Sequence, residues 1–178
     1  VIIDSLEADI EQLDSELGEA QQLSHPEWLL QKLQLQWPQH WPGIVEANNS
    51  PAPMTLRVNS QQCSRDDYLQ QLQRSGIDAR AGDLGPASVY LERPCDVNAL
   101  PGFADGSCSV QDEASQLVAP LLRPEIRSHI LDSCCAPGGK TCHLLELLGP
   151  RGTVTAIDKD PERLGRVREN LARQGLDA

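Results

Sequence analysis

The chain has 178 residues, of which 39% are hydrophobic, and its formal net charge of −11 weighs against tight binding to a nucleic-acid backbone. No run of residues approaches the roughly 20 apolar positions that a membrane-spanning helix needs. The six cysteines follow neither a secretory signal nor a regular spacing, which argues against a disulfide framework and favours reduced thiols in the cytoplasm.

Residues 1–50 are predicted to form a helical segment. Apolar residues recur at alternating spacings of three and four from Ile3 to Leu17, the pattern of an amphipathic helix. Pro26 suits the first turn of a second helix. The segment holds nine acidic residues and a single lysine, so most of the net charge lies here. Its three tryptophans lie among helical leucines, which favours core packing over base stacking.

Residues 51–105 are predicted to form a small α+β domain after the linker NNSPAP at 48–53. A strand is expected from Met54 to Val58. Ser64 and Asp67 have the spacing of a capping box, so a helix should begin there and end at Gly76. A second strand is expected over 89–91, where the sequence is Val-Tyr-Leu.

Residues 106–178 are predicted to alternate strands with helices, which indicates the first half of an open α/β sheet. A strand near 108 and a helix over 113–122 come first. The apolar run at 129–131 then predicts a buried strand, the run DSCCAPGGKT at 132–141 a turn, and 142–148 a helix. The β-branched run at 153–158 predicts the next strand, and a final helix should begin at Asp160 and end at Gly175.

The glycine turn between strand and helix indicates a nucleoside-cofactor site. Such a turn lets backbone N–H groups approach a ligand at the positive end of the helix dipole, and Gly138 or Gly139 should need the space or the positive φ that only glycine allows. Asp158 lies 20 residues after Gly138. That spacing matches the position from which an acidic residue accepts the ribose hydroxyls in doubly wound sheets.

The motif favours S-adenosylmethionine over the other nucleoside cofactors. A P-loop requires glycine at the position of Cys134, and a dinucleotide fingerprint G-x-G-x-x-G is absent. S-adenosylmethionine has no phosphate, so it needs only a tight turn for its amino-acid end and a carboxylate for its ribose. The neighbouring Cys135, Cys142 and His143 form no C-x-x-C pair, so no metal site is predicted.

The run DSCCAPGGKT resembles the cofactor motif of the RNA cytosine-5 methyltransferases, and SVQDEASQL at 109–117 resembles the strand-to-helix motif that precedes it. Three further segments resemble the RsmB-like (Sun/Fmu) branch of that family: HPEWLL at 25–30, IVEANN at 44–49 and MTLRVN at 54–59. The family usually has alanine at the position of Cys135, a change that should fit a tight turn.

The resemblance implies an α/β protein with an N-terminal helical segment. This segment is either the end of a NusB-like domain or the connector from that domain. A small α+β unit that contacts RNA follows, and then the first half of a Rossmann-like methyltransferase domain. It also implies S-adenosylmethionine-dependent methylation of cytosine carbon-5 in 16S ribosomal RNA. The family's two catalytic cysteines lie in motifs beyond the position of Ala178. We therefore expect a piece cut at both ends, inactive alone, with no catalytic residue of its own, and we reject Cys108 as a nucleophile.

Eight residues are predicted to bind the cofactor: Cys134, Cys135, Ala136, Pro137, Gly138, Gly139, Lys140 and Asp158. Residues 134–140 should surround the methionine end, with Lys140 neutralising its carboxylate or simply meeting solvent. Asp158 should bind the ribose. Asp132 either supports the turn or meets the cofactor ammonium. The alternative function is a non-catalytic RNA-binding or ribosome-assembly module.

Overall fold

The chain divides into two compact units at the bond between Ala52 and Pro53, and the computed structural model describes residues 17–178. Residues 17–52 of the first unit form three helices: α1 (Glu19–Gln22), α2 (Glu27–Gln36) and α3 (Trp41–Asn49). The predicted amphipathic helix that starts at Ile3 lies outside the described residues apart from its last position. Pro26 precedes α2 as its N-cap, one position earlier than predicted.

The tryptophans of the first unit do not pack as predicted. Leu30 of α2 and Val45 of α3 are the buried apolar residues of these helices. Trp28 is 61% exposed and Trp37 is 53% exposed, so the prediction of core packing is wrong for both. The reason is rotational: Trp28 lies two positions from Leu30 along α2, so the two side chains lie on different faces of the helix.

The second unit begins with an antiparallel sheet of strand order β2-β3-β1-β4. Its strands are β1 (Thr55–Val58), β2 (Ala79–Ala81), β3 (Ser88–Leu91) and β4 (Cys108–Val110). Leu56 at the centre of β1 pairs with Val89 of β3 on one side and with Val110 of β4 on the other. Helix α4 (Arg65–Arg74) adds Tyr68 and Leu72 to the core beneath the sheet.

The N-cap predicted for α4 is confirmed, because the Ser64 hydroxyl accepts a hydrogen bond from the Asp67 amide. Strand β4 is different. From the sequence alone, this strand is the first element of the predicted domain 106–178, whereas in the structure it pairs with β1 and completes the antiparallel sheet. A strand's own sequence does not specify its partner, which tertiary context decides. The predicted domain boundaries stay a prediction.

Two short helices, α5 (Glu113–Gln116) and α6 (Val118–Leu122), replace the single helix predicted over 113–122. The break falls at Leu117, shortly before Pro120. Proline has no backbone N–H to donate and crowds the preceding turn, so a continuous helix through this position is disfavoured.

The next elements form a β-α-β unit, which consists of β5 (His129–Asp132), α7 (Gly139–Leu148) and β6 (Thr153–Ala156). The helix α8 (Pro161–Gln174) follows it. The two strands are parallel, with Ile130 beside Val154. Helix α7 begins at Gly139, three residues before its predicted start. The predicted α/β fold class is confirmed. Across residues 17–178, no helix has the length and apolar character to span a membrane.

Candidate functional site

The predicted glycine turn joins the end of β5 to the start of α7. Gly138 is the N-cap of α7 and has a φ of +106°, a value that L side chains rarely adopt. A Cβ atom at this position would lie 3.3 Å from Val167 of α8. At Gly139 a Cβ atom would make only ordinary contact with Gln111, at 3.6 Å. The need for positive φ therefore falls on Gly138 and not on Gly139.

Asp132, the last residue of β5, supports this turn from below. Its Oδ1 accepts a hydrogen bond from the Cys134 amide at 3.3 Å, and its Oδ2 accepts one from the Thr141 hydroxyl at 2.7 Å. Thr141 is fully buried. Of the two roles predicted for Asp132, the structure thus displays the supporting one.

Asp158 follows β6 and holds the turn from the neighbouring strand. Its Oδ2 accepts a hydrogen bond from the Ala136 amide and its Oδ1 accepts one from the Asp160 amide, each at 3.1 Å. These two N–H groups, the Asp160 amide first, keep the pKa of the Asp158 carboxyl below its ordinary value. The side chain is only 2% exposed. An ionised carboxylate has about four acceptor sites, of which the two amides occupy two, and Arg163 Nη1 lies 3.9 Å from Oδ1.

Helix α8 supplies a third support that the sequence analysis did not identify. Arg163 Nη2 donates to the Ala136 carbonyl and Asn170 Nδ2 donates to the Pro137 carbonyl, both at 3.0 Å. Val167 packs against Cys135 and Ala136. Arg163, Val167 and Asn170 are spaced by four and three residues, which places them on one helical face. That spacing is the signal in the sequence that could have identified this support.

A cavity of about 150 Å³ opens beside the turn. Six of the eight predicted residues line it: Cys134, Cys135, Ala136, Pro137, Gly139 and Lys140. Gly138 and Asp158 are not among its lining residues. The remaining walls come from Val110, Gln111 and Ser115, which lie at the end of β4 and in α5.

The start of α7 offers unpaired donors at this cavity. The amides of Gly139 and Lys140, which both line the cavity, have no intrahelical acceptor because the helix begins there. Such amides, with the helix dipole behind them, favour a negatively charged group. Lys140 is exposed at the same place. The donor set therefore fits the carboxylate of an amino-acid group.

A second cavity of about 130 Å³ shares no lining residue with the turn. Val58, Gln116 and His143 are among its lining residues, and it is more apolar, so we do not assign it to the cofactor. Cys108 is fully buried and its Sγ accepts a hydrogen bond from the Tyr68 hydroxyl at 2.9 Å. Burial raises the pKa of the Cys108 thiol, which disfavours the thiolate that a nucleophile requires.

Two family models match the chain. The RsmF/B-like methyltransferase ferredoxin-like domain matches residues 25–98, and the family of 16S rRNA methyltransferase RsmB/F matches residues 119–178. A crystal structure of a methyltransferase homologue protein from Pyrococcus horikoshii is similar with a TM-score of 0.79 and 27% identity, and the match covers 89% of this chain and 52% of that one.

Curated relatives agree with these models. The chain is 51% identical over 155 residues to ribosomal RNA small subunit methyltransferase B of Pseudomonas syringae pv. tomato, which covers 87% of this chain and 35% of the relative. It is 47% identical over 179 residues to the protein of the same name from Vibrio cholerae, covering 99% of this chain and 41% of the relative. The chain thus spans well under half the length of these relatives.

Proposed function

Because this chain belongs to the RsmB/F-like family of methyltransferases, we propose that the protein containing these residues methylates 16S ribosomal RNA in the cytoplasm. The methyl donor is S-adenosylmethionine and the acceptor is carbon-5 of a cytosine. Residues 17–178 contribute one part of the cofactor site, and the nucleophilic cysteine of the reaction is supplied by another part of the protein.

One observation carries this proposal: side chains hydrogen-bond the turn, while the first amides of α7 have no acceptor. The turn is hydrogen-bonded by Asp132, by Asp158 and by two residues of α8, Arg163 and Asn170. The amides of Gly139 and Lys140 and the Lys140 side chain remain available beside a cavity of about 150 Å³. This volume is smaller than the roughly 300–1,000 Å³ of whole-ligand pockets, so it suits one end of the cofactor.

Different residues bind different parts of the cofactor. S-adenosylmethionine supplies a methyl group on a positively charged sulfur. The α7 amides and Lys140 bind its amino-acid carboxylate, and the chain at 134–137 orients the methionine end through backbone groups. Asp158 accepts hydrogen bonds from the ribose hydroxyls with the acceptor sites that Ala136 and Asp160 leave unused.

Calorimetric titration with S-adenosylmethionine tests the cofactor assignment. We expect Asp158→Ala to weaken binding at least about tenfold, because it removes charge-assisted hydrogen bonds to the ligand and releases the Ala136 amide. The matched control is Asp160→Ala, which removes the N-cap of α8 but no proposed ligand contact. Equal affinities of Asp158→Ala and the wild-type protein would contradict the ribose role.

The reaction itself is tested with the full-length protein, labelled S-adenosylmethionine and unmodified 16S RNA. The proposal expects label on cytosine carbon-5, and expects less of it from the Asp158→Ala variant. RNA binding without any methyl transfer would instead support the alternative of a non-catalytic binding or assembly module.

A further inference from the structure

Arg57 occupies an unusual position for a charged residue, at the centre of the antiparallel sheet. It is the third residue of β1, a strand whose four residues are all buried, and its side chain is 1% exposed. Burying an ionised group is strongly unfavourable unless it is paired and hydrogen-bonded. The contacts of Arg57 therefore have to compensate for the water that it loses.

The contacts of Arg57 connect β1 with helix α7 and with the segment that follows β4. Arg57 Nη2 donates to Glu146 Oε1 at 2.6 Å, which forms a buried ion pair with the middle of α7. Arg57 Nη1 donates to the backbone carbonyl of Gly139, the first residue of α7, at 2.7 Å. The same Nη1 donates to Oε1 of Gln111. One guanidinium thus contacts α7 at two points and the segment after β4 at a third.

Two of these three partners line the proposed cofactor cavity. Gly139 and Gln111 are both lining residues, and Gln111 lies against the Cα of Gly139, 3.6 Å from where a Cβ would stand. The Gly139 carbonyl lies in the same planar peptide unit as the amide of Lys140, which is one of the free donors. A group that fixes this carbonyl therefore fixes the direction of the Lys140 amide.

We infer that Arg57 is a positioning residue for the cofactor turn, acting through the Gly139 carbonyl and the side-chain oxygen of Gln111 rather than through the ligand. The inference rests on the proposed function, since it explains how the turn of the same site is held in position. A planar guanidinium can donate in two directions at once, towards Glu146 and towards Gly139. A lysine ammonium in its place is a point charge on a flexible stem and does not reproduce that fork.

The competing explanation is that Arg57 and Glu146 form an ion pair that only stabilises the fold. Two single variants separate the explanations. Arg57→Lys keeps a positive charge beside Glu146 but loses the forked contacts with Gly139 and Gln111. Glu146→Gln removes the ion pair but leaves both of those contacts in place.

Binding of S-adenosylhomocysteine to the full chain, measured by calorimetry, gives the decisive comparison. We expect Arg57→Lys to bind at least about tenfold more weakly than the wild-type protein. Glu146→Gln should bind nearly as the wild type does, although it unfolds at lower urea concentration. Similar losses of affinity in both variants, or no loss in Arg57→Lys, would overturn the inference.

A double variant guards against misfolding, since replacing a buried ion pair by apolar residues of similar volume is often neutral or stabilising. Arg57→Met combined with Glu146→Met should therefore unfold near the wild-type urea concentration and still bind the ligand at least about tenfold more weakly. If this double variant binds as tightly as the wild type, Arg57 does not position the turn.

Amide hydrogen exchange of the ligand-free protein separates this inference from the proposed function. The Cys142 amide donates to the Gly138 carbonyl at 2.9 Å, so its protection reports the start of α7. We expect faster exchange there in Arg57→Lys than in Glu146→Gln. If the wild type binds no S-adenosylhomocysteine, the proposed function fails, but the exchange result still decides for or against Arg57. Equal exchange rates in both variants would count against it.

Discussion

The two sheets of residues 53–178 differ in how far their strands are buried. All four residues of β1 are buried in the antiparallel sheet, including Leu56, which is completely inaccessible. In the parallel pair, burial alternates along β5 and β6. Ile130 and Val154 face the helices, whereas Leu131 is 62% exposed and Ile157, just after β6, is 49% exposed.

This difference explains where the cofactor turn obtains its rigidity. The turn grows out of the parallel pair, whose strands bury one face only. Beyond its bonds to Asp132 and Asp158, the turn is bonded by other parts of the molecule: Arg57 of the buried strand β1 bonds Gly139, and Asn170 of α8 bonds Pro137. The part of the molecule that carries the proposed chemistry is therefore held in place partly by residues outside the parallel pair.

The largest expected effect comes from truncating a leucine in each sheet. Leu56→Ala should lower the free energy of unfolding by about 2–5 kcal/mol, because it leaves a cavity in a close-packed core. Leu131→Ala should change it by no more than about 0.5 kcal/mol, since this side chain is mostly in water. Urea unfolding followed by circular dichroism measures both. Equal losses would remove the contrast between the sheets.

A smaller effect is expected at the two glycines of the turn. Gly138→Ala should cost about 1–3 kcal/mol, because alanine is strained at a φ of +106° and its Cβ would press on Val167. Gly139→Ala should be neutral or stabilising by up to about 1 kcal/mol, since position 139 is helical. Comparing urea midpoints of the two variants tests this assignment, and a larger cost at Gly139 would reverse it.

A substitution of Gly139 also separates an effect on stability from an effect on ligand binding. It lines the cavity, so a methyl group there reduces the space beside the free amides. Weaker S-adenosylmethionine binding by a Gly139→Ala variant of normal stability would locate the ligand at this position.

Local signals in the sequence predicted those elements whose determinants are local. The cap at Ser64, the cap at Asp160 and the glycine after α8 each act within one helical turn, and all three are confirmed. Strand β2 at Ala79–Ala81 was missed, because Ala-Arg-Ala has no strand propensity of its own and pairs only through β3. The partner of β4 was missed for the same reason.

The site shows the same limit. The turn and Asp158 were identifiable because glycine geometry and the 20-residue spacing lie within one β-α-β unit. Arg57 lies 82 residues from Gly139 and Asn170 lies 33 residues from Pro137. Contacts over such separations follow from the tertiary fold, so no local pattern could show that these side chains hold the turn. The ribose role of Asp158 stays a prediction.

An effect that depends on pH is expected on the side of α7 that faces the antiparallel sheet. His143 is 7% exposed and lines a cavity together with Val58 of β1. Burial, and to a lesser degree the Arg57 cation, lowers the pKa of His143 from 6.5 to about 3. Below pH 6.5 the unfolded chain therefore takes up a proton that the folded chain does not accept until about pH 3.

Stability should consequently fall as the pH drops from about 6.5 towards 4, with His143 contributing about 1.4 kcal/mol per pH unit, the value for one proton. Urea midpoints measured from pH 7 to pH 4.5 should decline less steeply in His143→Gln than in the wild type. Carboxylates that titrate in the same range affect both proteins alike and cancel in the comparison. A steep decline that persists in His143→Gln would show that acid sensitivity arises elsewhere than between α7 and the antiparallel sheet.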